Sequence, residues 1–298
     1  MANSDGERRV SLSMTTQIVV RGVRSPVRQA GPTEGSEAVV FVHGNPGPNL
    51  DWSDLIGRVG TFARAIAPDM PGYGSADKPR NFSYTISGYA DHLAGLLEQL
   101  GVKRAHIVAH DFGGAWALRW AVQHPDAFAS ATLINTGSMT NFRWHTFARL
   151  WRTPILGELL QATSTRSAFR WLLGRDNPRL TRDQIDRIYD AARSWGTKRA
   201  VLKLYRATPE SLLGALVSEL RTLNRPALVV WGTKDAYLPV HGAERQREAF
   251  PSARIELIEG GGHWVFLEDP EKVASLVVPF LRKRLRTENT SASRSTHS

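Results

Sequence analysis

The stretch Ala109-His110-Asp111-Phe112-Gly113-Gly114 (AHDFGG) separates an apolar run, Ala105 to Ala109, from a helical pattern, Gly114 to His124. A chain that leaves a strand and enters a helix within a few residues needs small neighbours around the turn, and Ala109 and Gly113 are small. The residue between them is a carboxylate. Working outward, further β-branched or apolar runs recur at Ala38 to Val42, Ala63 to Ala67, Ala129 to Asn135, Ala227 to Trp231 and Arg254 to Ile258. Most are bounded by Gly, Pro, Asp or Asn, and helix-like stretches such as Ile86 to Leu100 lie between them. Apolar strands alternating with helices predict an α/β fold, a mostly parallel sheet with helices on both faces.

The alternation stops between about Gly137 and Leu223. Amphipathic helical patterns replace strands there, such as Thr181 to Arg193 with Thr181 and Asp183 as start signals. An all-helical insertion of that length between two sheet strands reads as a cap. The expected division is therefore a core at 16–136 and 224–283 with a helical cap at 137–223. Residues 1–15 and 284–298, rich in Ser, Thr, Asn and Arg without apolar periodicity, are expected to be disordered.

At 298 residues and 42% apolar content the chain is long enough for one substantial core. It has no cysteine, which excludes disulfides, a thiolate metal site and a catalytic thiol. The net charge of +10 raises the question of a nucleic-acid partner. Between Asn141 and Arg206, however, 14 Arg and Lys stand against 5 Asp and Glu, so most of the excess lies in one helical segment. No nucleic-acid motif accompanies it; a solvated basic face explains it, and no nucleic-acid partner is expected. Nothing approaches the roughly 18 to 20 consecutive apolar residues of a membrane span, and the opening MANSDGERRV is polar, so a cytoplasmic protein without a signal peptide is expected. A homodimer is left open.

In open α/β sheets ligands bind beyond the carboxyl ends of the strands. Four such places stand out: His43-Gly44-Asn45-Pro46, His110-Asp111-Phe112-Gly113-Gly114, Gly232-Thr233-Lys234-Asp235 and Gly260-Gly261-Gly262-His263-Trp264. The second has the spacing of a nucleophile elbow with aspartate in the nucleophile's seat and Ala109 in place of the usual first glycine. An acid, Asp235, follows 124 residues later, and a histidine, His263, 28 beyond that, in the order nucleophile, acid, histidine. The strand end at Asn135 and Thr136 holds no carboxylate, which leaves Asp235 as the acid. Taken singly, Asp111 reads as a helix N-cap and the other two as loop residues; all three in order argue for chemistry. His43 and His110 read as turn and strand-end packing, and Glu268 and Asp269, before Pro270, as helix capping.

These segments, HGNP, AHDFGG, WGTKDAYLP and GGGHWVFLEDP in order, resemble the α/β-hydrolases of the epoxide hydrolase and haloalkane dehalogenase group across roughly Val39 to Leu281. A carboxylate attacking an ester would give only a mixed anhydride, so Asp111 suits a saturated carbon with a strained or good leaving group. The resemblance implies a small apolar substrate, an epoxide or alkyl halide. It implies a covalent alkyl ester on Asp111, hydrolysed by water that His263, oriented by Asp235, deprotonates. It also implies an oxyanion hole from the backbone N–H groups of Phe112 and Asn45. No metal or cofactor is expected.

The resemblance implies two ways of stabilising the leaving group: haloalkane dehalogenases hold halide with N–H donors, whereas epoxide hydrolases use cap tyrosines that hydrogen-bond and protonate the epoxide oxygen, general-acid work suited to a phenol. Asn45 favours halide, but Phe112 has no side-chain N–H. Leu204-Tyr205-Arg206 resembles the tyrosine–arginine segment of epoxide hydrolase caps, which makes Tyr205 the leading acid, and Gly262-His263-Trp264 also resembles epoxide hydrolases. A second tyrosine is missing: Trp151 stands where one is expected, and Tyr189 is the only other cap tyrosine. Trp52, Trp151 and Tyr189 are candidate substrate-binding residues, with packing as the alternative for each. Epoxide hydrolysis is the expected activity, with dehalogenation by the same route, or a binding protein without chemistry, as alternatives.

Overall fold

The computed structural model describes residues 14–295, with side chains through 285. Eight strands form one sheet: β1 (Met14–Val20), β2 (Val23–Ala30), β3 (Glu37–Val42), β4 (Ala65–Pro68), β5 (Arg104–His110), β6 (Phe128–Ile134), β7 (Ala227–Gly232) and β8 (Arg254–Ile258). Their order is β1-β2-β4-β3-β5-β6-β7-β8. All pairings from β4 to β8 are parallel, and β1 and β2 add an antiparallel edge. The α/β reading of the sequence is thereby confirmed.

The six runs singled out in the sequence are β3 to β8. The N-terminal hairpin is an addition to them. Its strands are polar on one side and carry Pro26, which in a sequence argues against a strand, but Arg21-Gly22 turns with both φ angles positive (49° and 79°), the geometry that closes a two-residue hairpin. Met14 and Thr15, expected in a disordered tail, pair with Gln29 and Arg28. The remainder of that expected tail, residues 1–13, lies outside the described residues, as do 296–298.

Two apolar layers flank the sheet. On one side α2 (Ile86–Gln99) and α3 (Phe112–Gln123) bury Leu93, Leu97, Trp116 and Ala117 against the strands. On the other, α1 (Ser53–Gly60) and a C-terminal helix beginning at Pro270 bury Ile56, Val59, Val273 and Val277. Each such aliphatic side chain contributes about 1.5–3 kcal/mol when removed from water. The C-terminal helix runs to Ser295, in place of the irregular tail expected from 284 onward.

Between β6 and β7 the chain is helical: α4 (Thr146–Arg152), α5 (Leu156–Thr163), α6 (Arg166–Asp176), α7 (Arg182–Ala192), α8 (Trp195–Ala207) and α9 (Val217–Leu223). Thr181 caps α7 in a reciprocal box with Gln184. After β7 come α10 (His241–Arg245), α11 (Val265–Glu268) and α12 (Pro270–Ser295). Among the described residues no helix is long and apolar enough to cross a membrane. The architecture brings the loops after β3, β5, β6, β7 and β8 to one end of the sheet, where α4 to α8 contribute to the same cavity.

Candidate active site

Asp111 sits at the end of β5 with φ 50° and ψ −130°, a conformation costly for any residue with a Cβ. Packing forces it. A Cβ on Gly44 would fall 2.3 Å from the Asp111 Cβ, and one on Gly113 2.3 Å from the Val42 carbonyl oxygen, so only hydrogen fits on either side. Thr136 Oγ1 donates to the Asp111 carbonyl at 2.5 Å and fixes the turn from β6. Although it is the residue before α3, Asp111 makes no side-chain cap hydrogen bond. Its Oδ1 instead accepts the Asn45 N–H at 2.6 Å, and its Oδ2 lies 3.6 Å from His263 Nε2. Phe112 opens α3, so its N–H is among the first-turn amides with no acceptor in the helix.

Asp235 and His263 meet this carboxylate from the ends of β7 and β8. His263 Nδ1 donates to Asp235 Oδ2 at 2.8 Å. The other Asp235 oxygen accepts the N–H groups of Tyr237 and Leu238 at 2.8 and 2.9 Å, and Asn135 Nδ2 donates to Oδ2 at 2.7 Å. Burial alone would raise both carboxyls, but His263 outweighs it and holds each below the ordinary range, helped by the Asn45 N–H at Asp111 and by Leu238 and Asn135 at Asp235. Burial alone would lower His263; the two carboxylates reverse that and raise it to about 10. The imidazole is thus charged while both neighbours are.

The site opens into a cavity of about 340 Å³ beneath α4 to α8, lined by Asn45, Asp111, Trp151, Tyr189, Tyr205 and His263 among others. Tyr205 is buried, edge-on to Phe112 with ring centroids 5.1 Å apart and 5.0 Å from Trp151. Burial, and then the Asp111 charge, push its phenol well above the usual range although the Asn45 side chain works the other way; it stays protonated. Trp151 therefore walls the cavity and supports Tyr205. Tyr189 lines the cavity farther along α7, with Phe169 and the Arg166 guanidinium against its ring. Trp52 is corrected: it is fully buried in the core, stacked on Phe266 at 4.5 Å, because the turn of 3-10 helix at Asn49–Trp52 directs it behind the sheet.

Several residues that the sequence did not single out complete the site. His145 caps α4: its Nδ1 accepts the Ala148 N–H at 3.3 Å, which leaves the proton on Nε2. Its ring lies 6.3 Å from that of Tyr205, it lines the cavity, and burial lowers it to about 4, so it is neutral. Tyr237 packs between His145 and His263 at 5.3 and 5.2 Å. Asn135, noted only for lacking a carboxylate, orients Asp235. Asn177, at the end of α6, accepts the His263 N–H at 2.9 Å. His145 and Asn135 stood next to a helix start and a strand end, where short polar residues repay inspection; Asn177 carried no such signal.

Glu268 is also corrected. Rather than capping a helix, its Oε2 accepts the Gly262 N–H at 2.7 Å, since α11 turns it back toward the histidine loop; Asp269 does cap, accepting the Lys272 N–H at 3.1 Å. His43 bridges a turn, accepting the Met70 N–H at 2.9 Å, and His110 Nε2 donates to the His263 carbonyl at 3.0 Å. The arrangement thus offers a carboxylate half-seated among amide donors, a histidine–aspartate pair able to take a proton, and hydroxyl and imidazole donors facing the same space.

Known proteins share this frame. The chain is 29% identical over 278 residues to the uncharacterized protein Rv2715 of Mycobacterium tuberculosis, spanning 88% of this chain and 79% of that one. It is also 29% identical over 286 residues to cis-3-alkyl-4-alkyloxetan-2-one decarboxylase of Xanthomonas campestris pv. campestris, spanning 88% and 92%. Epoxide hydrolase A from Mycobacterium thermoresistibile has the same fold, with a TM-score of 0.75 at 22% identity over 91% of this chain and 98% of that one. Residues 37–270 match the alpha/beta hydrolase fold family, from β3 to the first residue of α12. Strand order, elbow and family match agree, and the chain belongs to the alpha/beta hydrolase fold family.

Proposed function

We propose that the protein is a hydrolase that opens epoxides to vicinal diols through an ester of Asp111, with the helical segment 137–223 as a cap over the sheet-borne site. The observation that carries this reading is a carboxylate at the elbow, with Asn45 N–H on Oδ1 and the Tyr205 phenol and His145 Nε2–H donor on the cavity it faces. Oδ1 already occupies the oxyanion position, which makes Oδ2 the attacking atom. As Oδ2 bonds to a ring carbon the C–O bond breaks, and the ring oxygen takes the Tyr205 proton while His145 donates a hydrogen bond. Hydrolysis follows: His263, which releases its proton to solvent once the ester removes the Asp111 charge, takes a proton from a water whose oxygen attacks Cγ, with negative charge developing on Oδ1 against the Asn45 and Phe112 amides. Each such donor is worth about 3 kcal/mol in a transition state. Oδ2 then leaves as the second hydroxyl of the diol, taking the proton held by His263; the water oxygen replaces it in Asp111, and the remaining proton of the new carboxyl group restores the Tyr205 phenol.

Two features support neighbouring chemistries. The buried Asn45 side-chain amide, beside the Tyr205 phenol, offers an N–H donor suited to a halide, and the oxetan-2-one decarboxylase similarity points to another strained oxygen ring. Turnover of styrene oxide, 1-bromobutane and a 3,4-dialkyl-oxetan-2-one separates the three, with styrene oxide expected to be preferred. A single turnover in ¹⁸O-water should place label in the side chain of Asp111, and product formed without that label would sink the covalent route. Asp111→Ala should form no product, and His263→Gln should accumulate the ester.

A further inference from the structure

The His263 peptide is held from four directions. Its carbonyl accepts from His110, the preceding Gly262 N–H donates to Glu268, and the Gly262 carbonyl accepts from Asn135 Nδ2 at 3.2 Å. The fourth hold differs in origin. Asn177, fully buried, comes from the helical segment between β6 and β7, and its Oδ1 accepts the His263 N–H at 2.9 Å. Its own placement is fixed by α6, whose Leu173 carbonyl accepts both its backbone N–H, at 2.8 Å, and its Nδ2, at 3.2 Å. The contact leaves no slack: a Cβ on Gly262 would lie 2.6 Å from Asn177 Oδ1 and 2.6 Å from Glu268 Oε1.

The same helix is a wall of the cavity. Ala168, Phe169, Leu172 and Leu173 line it, one turn or two before Asn177. A group filling the cavity therefore presses on α6 at one end while α6 grips the histidine backbone at the other. We infer that Asn177 is a positioning residue that sets His263 for the hydrolysis half-reaction and links the fit of a substrate against α6 to the placement of the base. This rests on the covalent route proposed above, in which alkylation needs Asp111 and the cavity donors but only hydrolysis needs His263 as a base. A displacement of the base by a fraction of an ångström to 1 Å costs about tenfold or more in rate, so the effect falls on one half-reaction.

Rapid quench with intact-mass detection, using styrene oxide, reads the two half-reactions separately. In Asn177→Ala, alkylation is expected within about threefold of the unsubstituted protein while ester hydrolysis slows by about tenfold or more, so that adduct accumulates. Asn177→Asp keeps an acceptor for the His263 N–H and is expected to hydrolyse faster than the alanine variant. If the alanine variant does not fold, Asn177→Ser, whose hydroxyl falls short of His263, takes its place with the same expectation. Unchanged hydrolysis, or both half-reactions slowed equally, overturns the inference. Absence of adduct even in His263→Gln overturns instead the covalent reading, a result distinguishable from either.

Discussion

At the residue scale, the backbone at Asp111 stores strain of order 1–3 kcal/mol that its neighbours over-determine. The side chain is thereby aimed from the sheet with one oxygen on an amide donor before any substrate binds, so little reorganisation remains for the reaction. In the proposed route the donors facing it divide the work. Tyr205→Phe should lower alkylation by about 10²-fold or more, the usual range for losing a general acid, and His145→Gln by less, since glutamine still donates a hydrogen bond. Equal losses for the two, measured as single-turnover adduct formation, would reverse the assignment of the transferred proton to Tyr205. The state of His263 also changes during the cycle of the proposed route. Asp111 and Asp235 together raise it to about 10; in that route, ester formation would remove the Asp111 charge and hydrogen bond, so its pKa would fall and it would become free to accept a proton. Decay of the isolated adduct should rise with pH to a plateau, with a midpoint below 10. Asp235→Asn should move that midpoint lower still and depress the plateau; decay independent of pH between 5 and 9 would remove His263 as the base.

At the scale of elements, α3 is pressed against the carboxyl end of β3 so closely that position 113 has no room for a methyl group against the Val42 and His43 carbonyl oxygens. Both obstacles are backbone, so neither yields as a flexible side chain does. Gly113→Ala should cost ~2 kcal/mol or more of stability by overpacking, and should slow alkylation because α3 carries the Phe112 amide. Thermal denaturation and adduct formation would both register it; a variant with unchanged stability would mean that β3 and α3 separate easily. On the opposite wall Arg152 ties α4 to the end of α8 by donating to the carbonyl oxygens of Tyr205 and Thr208, which holds the tyrosine-bearing turn in place. Much of this level was legible: β3 to β8, α2, α3 and the Thr181 start of α7 follow from local periodicity and punctuation. The hairpin β1–β2 was not, because its pairing is specified by a turn conformation and by β4 rather than by apolar alternation.

At the scale of the whole molecule, four histidines besides His263 are held neutral. Burial lowers His43, His92 and His145, and burial with the nearby His263 lowers His110; His92 and His145 fall to about 4 and His110 to about 3. A histidine whose folded pKa lies below its unfolded value stabilises fully above the unfolded value near 6.5. That contribution fades as pH falls, because the unfolded chain takes up protons the folded one refuses. The size is on the order of 1 kcal/mol per histidine per pH unit in that window. His263 has the opposite sign: its contribution is complete below about 6.5 and is lost as pH rises toward 10. Thermal stability should therefore fall steeply from pH 6.5 to 4.5. His92 is hydrogen-bonded to Ser25 at 2.8 Å inside the core, and His92→Gln should flatten the slope. An unaltered slope in that variant would assign the acid sensitivity to other groups.

Local sequence determined the strand and helix alternation, the elbow at Asp111, and the stations of Asp235 and His263, because each is written in a few consecutive residues at a strand end. The tertiary structure alone decided which side chains face the carboxylate. Amphipathic periodicity in α4 to α8 tells which face of a helix is buried but not which neighbour it meets, so His145 and Asn177 came into view only once the helices were packed. For the same reason Trp52, close to the site in sequence, turned out to be core. Burial against a particular partner is a property of long-range packing, and no short stretch of chain carries it.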